Sequence, residues 1–494
     1  MASDRLISSN ELGRHNAADN IWIAVNGVIY DVTDFAPTHP GGLRVILDNA
    51  GKDASRAYDE VHSPSIIINS LGAEKRVGIL DQSTVIRAPE QVIQQSVSPK
   101  GEKPPLSTFI NSYDFEKVAS KTLSKKAWAF YSAGATDLIT RDDNKKAFDR
   151  IGFRPRILRD VTTVSTETKL LGCDSSIPLF IAPVGMAKLA HPDGEKAFAK
   201  GAAKAGIIPC ISTAASYSAS EIVGFAPLNH PFFFQLYVDK NRAKSERLLR
   251  EVGELGMRAI FVTVDAPVPG KREADERLHV DESLSSPISG VKAINDSKGG
   301  GIARVMGSFI DPGLSWTDIA WLRSCTNLPI VIKGIQTAED ARLALEHGVD
   351  GIVVSNHGGR SLDTSPAAIM VLLELQRRCP EVFKSMEVFL DGGIRRGTDV
   401  IKALCLGAKG VAVGRPFLYA LTYGSDGIER LTEILKDEIE TTLRLLGVTS
   451  LSQLHPGLLN TRDVDHLIPA NYQESEAPSL QPKRGVAKKE IAKL

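Results

Sequence analysis

The sequence is short of cysteine, of net charge and of long apolar runs, and each shortage removes a class of protein. Five cysteines (Cys173, Cys210, Cys325, Cys379 and Cys405) are scattered over 494 residues, odd in number and without a Cys-x-x-Cys pair. Neither a disulfide framework nor a thiolate zinc site is expected, and the expected compartment is a reducing one. Lys+Arg and Asp+Glu both number 59, for a formal net charge of +0. Without a basic field nothing draws the chain to nucleic acid or to an anionic membrane surface. No apolar run approaches the roughly 18 residues of a membrane span, so a soluble protein is expected. No Gly-x-Gly-x-x-Gly follows the first strand of a βαβ unit, which removes support for a Rossmann nicotinamide site.

What is present suffices for two or three domains: 43% of residues are hydrophobic and 24% charged, the balance of a protein with a sizeable core. Periodicity fades between about Asp81 and Pro105, where Gln, Ser, Lys and Pro gather, the composition of a flexible linker. The expected organisation is a small domain over 1–80, a linker over 81–107, a large domain over 108–470 and a tail over 471–494. Ser283 to Gly301 reads as a long surface loop inside the large domain. Met1-Ala-Ser-Asp-Arg5 opens without a secretory apolar stretch or a transit segment. The tail ends Ala492-Lys493-Leu494, one residue away from the Ser-Lys-Leu peroxisomal address. The expected location is therefore the peroxisome, with cytosol or mitochondrion as alternatives.

In the small part, residues 20–32 form two β-type runs joined by Asn26-Gly27, a tight-hairpin signal. Asp34-Phe-Ala-Pro-Thr-His39-Pro-Gly-Gly42 and a later His62 follow. The glycines let a large flat group approach the backbone, and the two histidines could clamp one metal from opposite sides. With their surroundings they resemble the cytochrome b5 domain over roughly residues 4–80, an α+β module. The resemblance implies haem b with His39 and His62 as axial iron ligands. Both axial positions are then filled, leaving electron transfer as the module's task.

From about residue 179 eight apolar, β-type runs alternate with helical patterns, the repeat of an α/β TIM (β/α)8 barrel. Helix starts are expected at Thr337 and at Ser365-Pro366. Polar residues end the strands in phase: Pro183 after the first, Ser212 at the second, Gln235 and Tyr237, Thr263 and Asp265, Lys333, His357 and Arg360, Asp391 to Arg395, and Gly414-Arg415. That is the rim where barrel enzymes place their chemistry. Glycines and arginines at the ends of strands seven and eight suit a phosphate-bearing cofactor.

Three motifs, Ser355-Asn-His-Gly-Gly-Arg-Ser-Leu-Asp363, Val264-Asp-Ala-Pro267 with Arg272, and Asp391-Gly-Gly-Ile-Arg-Arg-Gly397, look like one family over about residues 108–460. It is the FMN-dependent 2-hydroxy acid oxidases and dehydrogenases, and the fusion to a b5-like domain resembles the flavocytochrome b2 group. The resemblance implies an L-2-hydroxy acid oxidised to the 2-oxo acid, with electrons passing from FMN through haem to an acceptor such as cytochrome c. His357 would be the base, oriented by Asp265; Arg360 and Arg272 would clamp the carboxylate; Tyr237 would bond the substrate oxygen. Lys333 would stabilise reduced flavin, with Pro183, Ser212, Gln235 and Thr263 around the ring. Asp391, Gly393, Arg395, Gly414 and Arg415 would hold ribityl and phosphate. Relatives also imply a homotetramer.

Three positions depart from the family pattern. Phe130 stands where the family has the first of two tyrosines, whose hydroxyl meets the substrate carboxylate. Gly185 stands where alanine is common, and Ala214 where leucine or tryptophan is common. The pocket is therefore expected to favour an acid bulkier than lactate. The competing expectation is a peroxisomal oxidase that passes electrons to O2 and releases peroxide.

Overall fold

Asn26 and Gly27 both adopt positive φ (51° and 81°), the twist of a two-residue turn that matches paired strands. They join β3 (Asn20–Val25) to β4 (Val28–Asp31). The computed structural model describes residues 5–39, 42–59, 67, 71–84, 103–281, 284–295 and 300–469. Contacts divide the chain into two compact units, 1–101 and 102–494. In the first, β1 (Leu6–Ile7), β2 (Asn16–Ala17), β3, β4 and β5 (Arg76–Leu80) form one sheet in the order β1-β5-β4-β3-β2. Alternate residues Ile21, Ile23 and Val25 face a core with Val32, Ala36, Ile46 and Leu71. His39 closes the 3-10 turn Ala36–Thr38, its ring edge-on to Phe35 at 5.7 Å. Its expected iron partner His62, like Pro40 and Gly41, lies outside the described residues.

Of the stretch expected as a linker, 81–107, residues 85–102 lie outside the described residues, and the described ends are folded. Residues 82–84 make a 3-10 turn on the first unit, where Ser9 N donates to Thr84 Oγ1 (2.9 Å). At the other end Tyr423 Oη donates to Pro104 O (2.7 Å), and Lys103 Nζ donates to Thr422 O.

In the second unit β6 (Leu179–Ile181), β7 (Ile208–Ser212), β8 (Phe233–Leu236), β9 (Ala259–Thr263), β10 (Ile330–Ile335), β11 (Gly351–Val354), β12 (Glu387–Asp391) and β13 (Gly410–Val413) close into a parallel barrel. Strands buried on both faces read as near-continuous apolar runs, which is why all eight are visible in the sequence. Phe180, Phe233, Phe261 and Phe389 meet inside the barrel, centroids 5.1–6.2 Å apart, and with Val331 and Val353 fill its interior. A cavity can then open only beyond the strand C-termini.

The helices used below are α1 (Lys125–Ser132), α2 (Ile139–Asp149), α3 (Gly194–Ala205), α4 (Glu273–Glu276), α5 (Ile302–Met306), α6 (Ala338–Glu346) and α7 (Ala368–Arg378). Thr337 caps α6 as expected, accepting from Asp340 N. Ser365-Pro366 does not start α7, whose N-cap is Ala367. The carbonyls of Ser365 and Pro366 are instead taken by Thr140 Oγ1 and Asn356 Nδ2 (both 2.9 Å), which holds them out of the helix. Nor is the 283–301 segment a simple surface loop. Its described part folds back on itself, with Ala293 N donating to Leu284 O (2.8 Å). Ser286, 1% exposed, donates to Thr213 O at the barrel rim (3.1 Å). All five cysteines are free, and no helix of the described residues is long and apolar enough to cross a membrane.

Candidate active site

A cavity of about 700 Å³ opens at the C-terminal rim, and every site residue expected in the barrel lines it except Asp265, which stands directly behind His357. Asp265 Oδ1 lies 2.8 Å from His357 Nδ1, and His357 Nε2 lies 3.4 Å from Tyr237 Oη. The backbone presents this imidazole by force: His357, Gly358 and Gly359 take φ of +60°, +65° and +73° in succession, a left-handed path that strains a residue carrying a Cβ. Ser355 Oγ accepts from His357 N (3.0 Å) and from Lys333 Nζ (3.0 Å). Asn144 and Asn356 trade side-chain hydrogen bonds (2.8 and 2.9 Å), pinning the same loop to α2.

Charge and burial sort these groups into roles. Burial lowers the His357 pKa below its ordinary range despite the pull of Asp265 in the other direction. The ring is therefore neutral at pH 7, its Nδ1–H donated to Asp265 and its Nε2 lone pair turned to the cavity. For Asp265 burial acts upward, but His357 and Lys333 outweigh it and hold the carboxyl below its usual range. Burial, reinforced by Asp265, pushes the Tyr237 hydroxyl up to about 12, so it stays a donor. Burial acts downward on Lys333, but Asp391, 2.9 Å away, and Asp265 outweigh it and keep the ammonium charged.

Three guanidiniums crowd the same wall. Arg272 Nε donates to Arg360 O (3.3 Å), while Arg360 Nη1 and Arg415 Nε both donate to Tyr131 O (3.2 and 3.1 Å). Burial, with repulsion from Arg272 on Arg360 and from Arg360 on Arg415, lowers both guanidiniums to about 9. Such crowding is tolerable only where anions complete the site. Arg360 also stacks on Phe130, its Cζ 5.1 Å from the ring centre. A phenyl face thus meets the guanidinium where the family pattern has a phenol.

Opposite, Ser212 Oγ donates to Gln235 Oε1 (3.2 Å) and Gln235 Nε2 to Thr263 Oγ1 (3.0 Å), a polar row across three adjacent strands. Pro183 and Gly185 come from the loop after β6, and Gly393 and Gly414 from those after β12 and β13. Arg395 lines the cavity with its guanidinium 3.1 Å from Glu116.

Two features fit a ribityl phosphate here. Asp391 Oδ1 is buried without a partner, an acceptor waiting for a hydroxyl. The Arg415 guanidinium, which is in no ion pair among the described residues, lines the same space.

Sequence reasoning missed part of the wall. Ala303, Met306 and Ile310 on and after α5 line the cavity. Asp275 holds α5 in place, accepting from Ala303 N (3.2 Å) and pairing with Lys126 (2.7 Å). An apolar pattern alone carries no signal for this. Nor does a side-chain motif reveal Tyr131, which serves the arginines through its backbone carbonyl.

Comparison with known proteins matches residues 119–461 to the family of FMN-dependent dehydrogenases and residues 8–87 to the cytochrome b5-like heme/steroid binding domain. The L-lactate dehydrogenase (cytochrome) of Saccharomyces cerevisiae is 44% identical over 476 residues, covering 92% of this chain and 79% of that one. The glycolate oxidase of Spinacia oleracea is 43% identical over 70% of this chain and 94% of its own. Among solved structures, a leucine-to-alanine mutant of flavocytochrome b2 with benzoylformate aligns with a TM-score of 0.67 at 45% identity, over 78% of this chain and 96% of its own. An alanine-to-glycine, leucine-to-alanine double mutant with pyruvate bound aligns at 0.66 and 45%, over 77% and 95%.

Proposed function

The chain belongs to the FMN-dependent dehydrogenase family, with a cytochrome b5-like domain ahead of the barrel, and from that premise we propose that it oxidises an L-2-hydroxy acid bulkier than lactate and delivers the electrons through haem to a cytochrome c-like acceptor. It is an FMN-dependent 2-hydroxy acid dehydrogenase, and its cofactors are FMN and haem. Bound FMN supplies a two-electron sink, and haem a one-electron relay.

The chain's own groups supply the rest. Arg360 and Arg272 hold the substrate carboxylate through charge-assisted hydrogen bonds. Tyr237 donates to the 2-oxygen. His357 Nε2 takes the proton released as CH–OH becomes C=O, and Asp265 stabilises the imidazolium that results. Lys333 holds positive charge against the cofactor ring.

The observation that carries the substrate reading is the contact between Gly185 and Ala214: a Cβ added at Gly185 would lie 3.0 Å from Ala214 Cβ. Two minimal side chains meet at the position where the family pattern has larger ones. The flavocytochrome b2 double mutant with alanine-to-glycine and leucine-to-alanine exchanges carries the same residue types and has pyruvate bound, and the leucine-to-alanine single mutant has benzoylformate. Steady-state kinetics on lactate, 2-hydroxyoctanoate and mandelate test this, and a clear lactate preference defeats it.

A second reading, an oxidase beside catalase, draws on the glycolate oxidase likeness and on Ala492-Lys493-Leu494, which lies outside the described residues. Peroxide formed in step with substrate while cytochrome c stays oxidised selects it. We read the same tripeptide as a peroxisomal address; its deletion from a fluorescent fusion should return the protein to the cytosol. A homotetramer, as in relatives, is tested by light scattering.

A further inference from the structure

Glu195 is a buried carboxyl group, its pKa raised by that burial. It stands in the first turn of α3, 4% exposed, and no ion pair among the described residues includes it. Burying such a group costs several kcal/mol unless hydrogen bonds repay it. Its Oε1 accepts from Ala187 N (3.0 Å) and from Ser216 N (2.9 Å). These two donors sit on different loops, the first on the turn after β6 and the second on the turn after β7.

The tips of those loops are the substrate wall. Gly185 lies two residues before Ala187, and Ala214 two residues before Ser216. Met186 N donates to Ala214 O (2.9 Å), Lys188 N donates to Ser216 Oγ (3.2 Å), and Met186 takes a left-handed φ of +58°. The network continues to the carboxylate clamp. Tyr131 Oη donates to Met186 O (2.6 Å), and Tyr131 O is the acceptor of Arg360. One buried oxygen therefore joins both loops, and a second link ties them to the guanidinium that holds the substrate.

We infer that Glu195 is a positioning residue for specificity: by binding Ala187 N and Ser216 N on one oxygen it sets the separation of Gly185 and Ala214, and with it the size of side chain that the enzyme accepts. A small substrate side chain does not reach that wall, whereas an aryl or long alkyl group packs against it. Loosening the latch therefore penalises large substrates and spares small ones. This rests on the reading of Gly185 and Ala214 as the side-chain pocket.

The test uses full-length protein loaded with FMN and haem, with kcat and KM measured on lactate and mandelate for E195A, E195Q and S216A. E195A should lower the mandelate-to-lactate ratio of kcat/KM about tenfold, the scale of one or two lost hydrogen bonds. The loss should fall mainly in KM for mandelate, and the pH limb of His357 should not move. E195Q, whose amide oxygen can accept from the same two N–H groups, should keep the ratio within about twofold. Equal losses on both substrates in E195A would make Glu195 a folding residue only and overturn the inference. If E195A yields no folded protein, S216A decides: removing the acceptor of Lys188 N should lower the ratio about two- to fivefold, and an unchanged ratio overturns it. A wild-type preference for lactate would defeat the bulky-substrate reading separately, since the shift in ratio is measured whichever substrate is preferred.

Discussion

Replacing Ala214 by leucine restores bulk where this protein has almost none. The added atoms stand against Gly185, whose missing Cβ would already lie 3.0 Å from Ala214 Cβ and 3.2 Å from Ala214 O. A phenyl group excluded from that wall forfeits about 1.5–3 kcal/mol of burial, a factor of about 10 to 150 in kcat/KM. A methyl group is not displaced. Ala214→Leu should thus cut kcat/KM for mandelate by that factor and leave lactate within about threefold, read by cytochrome c reduction in the steady state. Gly185→Ala should act in the same direction at a cost of about 1–3 kcal/mol. The double variant should fall short of the product of the two, because the residues touch. Mandelate turnover unaffected by leucine, or both substrates falling together, would refute the placement of the side-chain pocket between these loops.

Three further outcomes follow from the site. Phe130→Tyr adds a hydroxyl to a ring already stacked on Arg360; a bond to the charged carboxylate is worth about 1.5–3 kcal/mol, so KM for lactate should fall at least tenfold, and an unchanged KM places the ring edge away from substrate. Because His357 must be neutral to act and its pKa is lowered by burial, kcat/KM should rise with pH through an apparent pKa below that of ordinary imidazole and then level off; Asp265→Asn, removing the one partner that raises it, should shift this limb further down and lower kcat by about 10²–10⁴. Lys333→Met leaves the Asp391 carboxylate buried and unpaired, which should destabilise the protein by about 3–5 kcal/mol and reduce flavin content, checked by thermal unfolding and by absorbance of the purified protein.

The sequence by itself determined the architecture and most of the chemistry. Eight runs such as Ile208–Ile211 and Gly410–Val413 are mostly apolar because parallel barrel strands have no exposed face, so each is legible without knowing its neighbours. A polar residue at the end of such a run must leave the packed interior, which places Lys333, Asp391 and Thr263 on one rim before any coordinates exist. Only tertiary structure decided what is carried by backbone atoms or by contacts between distant segments. No side-chain pattern tells that Tyr131 O serves both Arg360 and Arg415, or that Asp275 and Lys126 fix the wall at Ala303. The same holds for Ser286, drawn from a loop-like stretch into the rim, and for Ser365-Pro366, which signals a helix that begins at Ala368 because two remote side chains claim the preceding carbonyls. Glu195 is the extreme case. In sequence it is one acidic residue in the first turn of a helix, where solvent is the ordinary surroundings, and folding alone brings two substrate loops onto a single oxygen.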